Sequence, residues 1–452
     1  MTATNHAAAG SEKSRSGTAA LIATSLTLFS MFFGAGNLIF PPIVGAAAGT
    51  NFVPAITGFL LGGVALPVIA IVAIALSGTD LRDLASRGGT LFGILFSCLS
   101  YLAIGAFYAL PRTGAVSFST AVTPLTGWES PVASTIFNGL FFALALYLSW
   151  NPKQLIDKLG KILTPVLLGL LALLVVLSLI GLPTTQAAPT AGYVDSPVVS
   201  GLLAGYMTMD SIAALAFGII VVTSLKRTGG GIGAKILKRT GLAAIIAGVL
   251  LGLVYVGLGL IGSTMPDGQG YADGAALLSD AAGITMGTAG RVVFGLIVLT
   301  ACMTTAVGLL AASSEFFTRL IPGIAYKTWL SAFAVVSFVL ASAGLNMVLS
   351  VAAPIIGFLY PIGITIVFVT IVTHPLRMST PALWAFRMSV WTATLWSAAT
   401  TLASKGIATH MIEALVQWSP GQNLELGWIA PVLVAFVIGL VGDFVGRDNP
   451  QK

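Results

Sequence analysis

Apolar stretches, most of them long enough for a helix to cross a bilayer, recur along the whole chain and limit its fold more than any other feature. Twelve can be drawn, over 19–44, 53–76, 92–118, 133–150, 162–182, 201–224, 240–262, 290–313, 328–343, 348–373, 389–404 and 427–446. A spanning helix needs about 20 apolar residues. Within hydrocarbon every backbone N–H and C=O must be satisfied by the protein itself, which leaves only helices and closed barrels. Barrel strands alternate polar and apolar residues over about ten positions, and that alternation is missing from these runs. The chain is therefore expected to be an all-α integral membrane protein with twelve transmembrane helices. Composition agrees: 8% of the 452 residues are charged and mean hydropathy is +0.98. So few charges cannot cover a water-soluble body of this size, which excludes cytosolic enzymes and nucleic-acid-binding proteins.

The position of the basic residues sets the expected orientation. With the N-terminus inside, all of the 21 Lys and Arg except Arg112, Arg291 and Lys405 fall on cytoplasmic segments, the asymmetry that orients membrane proteins. Both termini are then cytoplasmic. Residues 1–18 are polar, lack a secretory signal's apolar core and cleavage site, and are expected to form a disordered cytoplasmic tail. Cys98 and Cys302 lie far apart in apolar runs, and His6, His374 and His410 have no metal-ligand spacing, so no metal cofactor is expected.

Helix breakers and polar residues at membrane depth carry the functional signal. In the first run Gly34-Ala35-Gly36-Asn37 is followed by Pro41-Pro42. Glycine costs a helix about 1 kcal/mol and proline about 3, so a break is expected there. Close helix packing is the other use of such glycines, but it explains neither Asn37 nor the prolines. The sixth run holds Gly205-Tyr206-Met207-Thr208-Met209-Asp210. Asp210 is the one acid well inside a run, and a lone carboxylate there costs about 3 kcal/mol on insertion. It either faces a cavity or caps a broken helix. Interruptions five helices apart point to an inverted repeat with a midplane site, expected over 19–182 and 201–373, with 389–446 forming two peripheral helices. In the eighth run, Ala301-Cys302-Met303-Thr304-Thr305 places Thr305 one turn beyond Ala301, within reach of its carbonyl. The two hydroxyls and that carbonyl are also three hard oxygen ligands for a small cation.

Three further segments are weighed and set lower. The outer connection 263–289 carries Asp267, Asp273 and Asp280 and reads as a solvated loop or, over 271–282, as a short helical lid. The glycine run within 225–239 lacks the phosphate-loop spacing. Asp80 and Asp83 form an isolated D-x-x-D, without the second acidic cluster that a membrane prenyltransferase would need.

The blocks SMFFGAGNLIFPPIVGAAAGTNFVPAITGFLLGGVALP (30–67), ALPRTGAVSF (109–118), GYMTMDSIAALAFG (205–218) and ACMTTAVGLLAASSEFF (301–317) resemble those of the bacterial branched-chain amino acid:cation symporters, within the amino acid–polyamine–organocation superfamily. The resemblance covers nearly the whole chain. It implies a five-plus-five inverted-repeat fold with broken helices 1 and 6, a bacterial plasma membrane location, and sodium-coupled uptake of leucine, isoleucine and valine. Carried onto this sequence, it implies that free amides in the turn of Gly34, Ala35, Gly36 and Asn37 receive the substrate carboxylate, which points to Ala35 and Gly36, with Asn37 near the site. Carbonyls of Tyr206, Met207 and Thr208 would receive its ammonium group, and Phe32 its aliphatic chain. Sodium would lie among the carbonyls of Ser30, Phe33 and Ala301 and the hydroxyls of Thr304 and Thr305. Asp210 joins the substrate set without an assured counterpart in the wider fold. A channel would need a continuous polar pore, and a membrane enzyme an acid–base or metal constellation; the sequence offers neither.

Overall fold

The computed structural model describes residues 3–77, 80–151, 164–227, 234–374 and 383–445. Every regular element among them is helical. The principal helices in chain order are α1 (Ala3–Phe32), α2 (Ala35–Ala48), α3 (Phe52–Leu60), α4 (Leu66–Ser77), α5 (Leu81–Ala85), α6 (Thr90–Leu102), α7 (Ala109–Ser117), α8 (Pro131–Ser149), α9 (Thr164–Gly181), α10 (Pro197–Tyr206), α11 (Asp210–Arg227), α12 (Ala234–Thr264), α13 (Gly274–Leu320), α14 (Tyr326–Ser342), α15 (Leu345–Thr373), α16 (Leu383–Ser404) and α17 (Ile429–Val445). Helix also runs through residues 3–18, the stretch expected to be a disordered tail; the apolar part of α1 begins at Thr18. The glycine run at 229–231 lies outside the described residues.

Seven helices, or eight if the bent α10–α11 pair counts as one, are long and apolar enough to cross a membrane among the described residues. Their burial pattern fits lipid on one side. In α12, Ala243, Ala247 and Leu251 are buried, whereas Ile245, Val249 and Leu253 expose more than half of their surface. Such an aliphatic stripe would be costly in water and is neutral in hydrocarbon.

Both expected interruptions are present. Helix stops at Phe32 and restarts at Ala35, with Gly34 extended between them. The sixth run bends by 46° between Tyr206 and Asp210. Pro41 and Pro42 do not take part in the first break: they lie inside α2, which continues to Ala48. Proline removes a helical hydrogen bond, so packing must hold α2 through that point, and α2 lies along α12 and α13. A third interruption was not expected. In the run 92–118 the helix loosens over residues 103–107, where Gly105 has ψ of −117°, and Tyr108 adopts φ of −143° before α7 begins.

The two broken helices pack reciprocally. α2 lies along α12, and α11 lies along α4, so each uses the helix that follows the other break. Backbone contact sets the α2–α12 distance. A Cβ on Gly45 would stand 1.9 Å from the Gly259 carbonyl, and one on Gly262 2.0 Å from the Pro42 carbonyl. Neither neighbour can yield without moving a helix. Gly45→Val is therefore expected to destabilise the fold by about 3 kcal/mol, measured as a lower melting temperature of the detergent-solubilised protein; an unchanged melting point would contradict this packing.

The connection 263–289, expected to lie outside, is helical from Gly274 onward and is not a solvated loop there. Asp273 caps the start of α13 by accepting from the Ala275 and Ala276 amides at 2.8 and 2.9 Å. Ala275, Leu277, Leu278, Ala281 and Ala282 are fully buried. A Cβ on Gly274 would lie 2.0 Å from the Ile39 carbonyl, so this turn sits directly on α2. Apolar spacing in 274–282 buries one face, which a loop could not do. α13 then turns at Gly287, φ +63°, into the apolar eighth run. At the C-terminal end α16 and α17 pack on each other, and α16 on α15. Asp443 accepts from the amides of Trp384 and Ala385 and so caps α16 from its neighbour.

Candidate functional site

The breaks at 33–34, 103–108 and 207–209 are joined by side chains, so they form one region of the protein. Its first part is a cluster of oxygens between α1 and α13. Thr304 Oγ1 donates to the Ala301 carbonyl at 2.9 Å and lies 3.4 Å from the Ser30 carbonyl. Thr305 Oγ1 donates to the Phe33 carbonyl at 3.2 Å. Thr305 therefore reaches across to the broken helix and does not bond back to Ala301. Ser30 points its own hydroxyl to the Thr27 carbonyl, leaving its carbonyl as the group facing Thr304. The Phe33 carbonyl is free of helical bonding because helix stops there. A Cβ on Gly34 would lie 2.6 Å from Thr305 Oγ1, so glycine is what lets the chain pass this close. Thr304 thus meets the Ser30 and Ala301 carbonyls and Thr305 the Phe33 carbonyl, all hard oxygen donors of the kind suited to sodium.

The second part ties the two broken helices together. Asn37 Oδ1 accepts from the Gly34 amide at 3.0 Å, and Asn37 Nδ2 donates to Asp210 Oδ2 at 2.7 Å. Tyr255 Oη on α12 donates to the same Asp210 oxygen at 2.8 Å and also receives a bond from Asn37 Nδ2. Asn37, Asp210 and Tyr255 are all fully or almost fully buried. Asp210 begins α11, where a carboxylate meets the positive end of the helix dipole. It also links directly to the turn of the first break. Met209, just before it, has φ of +68°; a non-glycine residue held there stores about 1–2 kcal/mol of backbone strain.

Arg112 on α7 forms the third part. Its side chain is 4% exposed. Nη1 donates to the Met207 carbonyl at 3.1 Å and Nη2 to the Thr208 carbonyl at 3.2 Å. Nη1 also bonds Tyr108 Oη, and the guanidinium lies 4.5 Å from the centre of the Tyr108 ring. A Cβ on Gly36 would be 2.4 Å from Nη2, so the guanidinium rests against the GAGN turn. Of the carbonyls expected at this break, Tyr206 accepts from the Met209 amide, and the other two face Arg112.

The remaining expected residues lie nearby. Thr208 Oγ1 donates to the Gly205 carbonyl and is placed 3.4 Å from the Asp210 amide. Phe32 packs its ring against Phe217 of α11 with centroids 6.3 Å apart, and Tyr206 stacks on Tyr360 of α15 at 4.7 Å. Ala35 and Gly36 occupy the first turn of α2, whose amides precede the helix's own hydrogen bonds and carry its positive end. Chemically, the region offers amides and a guanidinium for an anion, a carboxylate for a cation, and a separate group of carbonyl and hydroxyl oxygens between α1 and α13.

The family model described as "Branched-chain amino acid transport protein" matches residues 17–445. The chain belongs to this family. It is 51% identical over 424 residues to the branched-chain amino acid permease BrnQ of Corynebacterium glutamicum, covering 94% of this chain and 95% of that one. It is 39% identical to the permease of the same name from Bacillus subtilis, covering 93% and 96%. These relatives are named permeases, not enzymes. Among solved structures it resembles Mhp1, a nucleobase-cation-symport-1 family transporter in a closed conformation with bromovinylhydantoin bound, at a TM-score of 0.58 and 15% identity over 95% of this chain and 93% of that one. It also resembles a mutant of the manganese transporter of Eremococcus coleocola, at 0.57 and 13% over 94% of both chains. At such identities the likeness is one of fold alone.

Arg112, Tyr108 and Tyr255 were not singled out by the sequence as parts of the site. Arg112 enters the sequence reading only as one of three basic residues that do not fall on cytoplasmic segments. The available signal was an arginine beside Pro111 and downstream of Gly105 in an apolar run, the same combination of breaker and polar group that marks the other two breaks. The D-x-x-D at Asp80 is resolved as a helix cap: its Oδ1 accepts from the Asp83 amide at 3.0 Å at the start of α5.

Proposed function

We propose that this transporter carries leucine, isoleucine and valine into the bacterial cell together with sodium, by alternating access around the joined breaks. The names of its relatives support the substrate class. The observation that carries the ion is that Thr304 meets the Ser30 and Ala301 carbonyls while Thr305, next to it, meets the Phe33 carbonyl where α1 ends. In this reading sodium ties the end of α1 to α13, which fixes the turn at Gly34 to Asn37 and prepares it for substrate. The α-carboxylate meets the first amides of α2. The ammonium group lies at the second break beside Asp210, and the aliphatic chain lies against Phe32 and Phe217. Reciprocal packing of α2 on α12 and α11 on α4 supports a five-plus-five inverted repeat, with α16 and α17 packed outside it; twelve crossings with both termini cytoplasmic rest on the apolar runs and the placement of the basic residues. A zwitterion adds no net charge. One sodium per cycle then carries one positive charge inward, worth about 2.3 kcal/mol per 100 mV of inside-negative potential.

A second reading has support in Asp210, a buried carboxylate bonded to both broken segments, which would be the proton carrier of a proton-coupled cycle. Purified protein in proteoliposomes separates the two. Labelled leucine should accumulate when a sodium gradient is imposed at equal pH on both sides. Accumulation driven by a pH gradient in sodium-free buffer, and not by sodium, would replace the sodium reading with the proton one.

A further inference from the structure

We propose that Arg112 is the residue that recognises the substrate's α-carboxylate, acting with the first turn of α2. The inference rests on the reading that the joined breaks bind an amino acid, and it names the charged group that selects for the acid end.

Guanidinium carries five N–H donors. Nη1 spends its two on the Met207 carbonyl and Tyr108 Oη, and Nη2 spends one on the Thr208 carbonyl. That leaves one Nη2 hydrogen and the Nε–H, and Nε is buried with no hydrogen-bond partner. These two donors belong to the same side of the guanidinium plane's edge, the pair that binds a carboxylate through two parallel bonds. A Cβ on Gly36 would meet Nη2, Cζ and Nη1, so the guanidinium borders the turn whose amides open α2. Two independent anion-binding features therefore meet at one place.

Charge balance leads to the same conclusion. Among the described residues no ion pair joins Arg112 to an acid; the described pairs are Arg291 with Asp280 and Arg319 with Glu315. The guanidinium is hydrogen-bonded only to carbonyls and a phenol, and Asp210 acts on it through space without an ion pair, so its charge is only partly compensated. A bound carboxylate supplies the missing negative charge, and its partner ammonium group falls toward Asp210. The site then discriminates strongly against ligands without an acid group, because those leave the Arg112 edge unpaired. Tyr108 holds the guanidinium face, and the Met207 and Thr208 carbonyls fix its far edge. The break in α10–α11 thus positions the arginine that reads the substrate.

Competition against labelled leucine on the purified transporter, with unlabelled leucine and leucinamide compared side by side, tests this. In the wild type leucinamide should compete about 100-fold more weakly than leucine. In Arg112→Gln, leucine binding should weaken by about 100-fold, and the preference for leucine over leucinamide should shrink to within about 10-fold. Arg112→Lys should fall between, since an ammonium keeps the charge but loses the paired donors. If Arg112 only braces the break, both variants will shift leucine and leucinamide equally and the preference will survive, which overturns the proposal. Should Arg112→Gln not fold, the Lys variant's preference decides by the same criterion. A wild type that ignores leucine, isoleucine and valine but binds another amino acid overturns the substrate reading alone, and the acid–amide comparison proceeds with that amino acid. Binding of no amino acid overturns both.

Discussion

Asp210→Asn should yield a folded protein whose leucine uptake is at least about 100-fold slower than the wild type, because it removes a charge while keeping a shape. Both described bonds to the carboxylate arrive at one oxygen, Oδ2, from Asn37 and Tyr255. An asparagine with its carbonyl oxygen in that position accepts both, so the tie between the two broken helices persists. What is lost is the negative charge near the Arg112 guanidinium and the proposed ammonium group. Asp210→Leu is harsher. It strands two buried donors and leaves Arg112 without a nearby acid, a change worth about 3–5 kcal/mol, so folded protein should largely disappear. The measurements are initial uptake rates in proteoliposomes and the monodisperse fraction on size exclusion. Normal uptake by a folded Asp210→Asn protein would make Asp210 a structural clasp and nothing more.

Thr304→Val and Thr305→Val should each raise the sodium concentration for half-maximal uptake by about 10-fold or more, the cost of removing one charged-group contact, and the double variant should lose sodium dependence within the accessible range. Valine keeps the volume of threonine, so packing of α13 against α1 is preserved. The two sites differ in a way that can be checked. Thr304 sits between two carbonyls, those of Ala301 and Ser30, whereas Thr305 faces the Phe33 carbonyl at the end of α1. Thr305→Val should therefore also weaken leucine binding at saturating sodium, since it loosens the Gly34 turn, while Thr304→Val should not. An unchanged sodium dependence in both variants removes this oxygen cluster from the coupling mechanism.

The two expected breaks were legible because their sequences are physically awkward in hydrocarbon. Glycine pairs, an asparagine and an aspartate have no place in a continuous lipid-exposed helix, so Gly34 to Asn37 and Tyr206 to Asp210 declare themselves. Thr304 and Thr305 were visible as a pair of hydroxyls, but their partners were not. A threonine bonds back to its own helix by default, and only the approach of α1 turns Thr305 toward Phe33. Pro41 and Pro42 misled, since proline breaks an isolated helix and packing along α12 and α13 carries α2 through them. The helix over 274–282 was ambiguous because an Ala- and Leu-rich segment with three aspartates reads equally as a loop until it is known that α2 lies beneath it. Tyr255 had no signal at all: a lone tyrosine in an apolar run looks the same whether its hydroxyl meets a carboxylate or the lipid interface.

Hydropathy and charge placement determine, from the sequence alone, that this chain is helical and crosses a membrane, and helix breakers determine where two of its helices must open. Those are local properties: each follows from the cost of exposing a backbone or a charge to hydrocarbon, whatever the rest of the chain does. Which groups then satisfy the opened backbone is a matter of tertiary structure. The Met207 and Thr208 carbonyls meet Arg112 from 95 and 96 residues away in sequence, and Asn37 meets Asp210 across 173. No periodicity or spacing encodes such pairings; they arise when three interrupted helices are packed side by side and the buried charges find polar partners within reach.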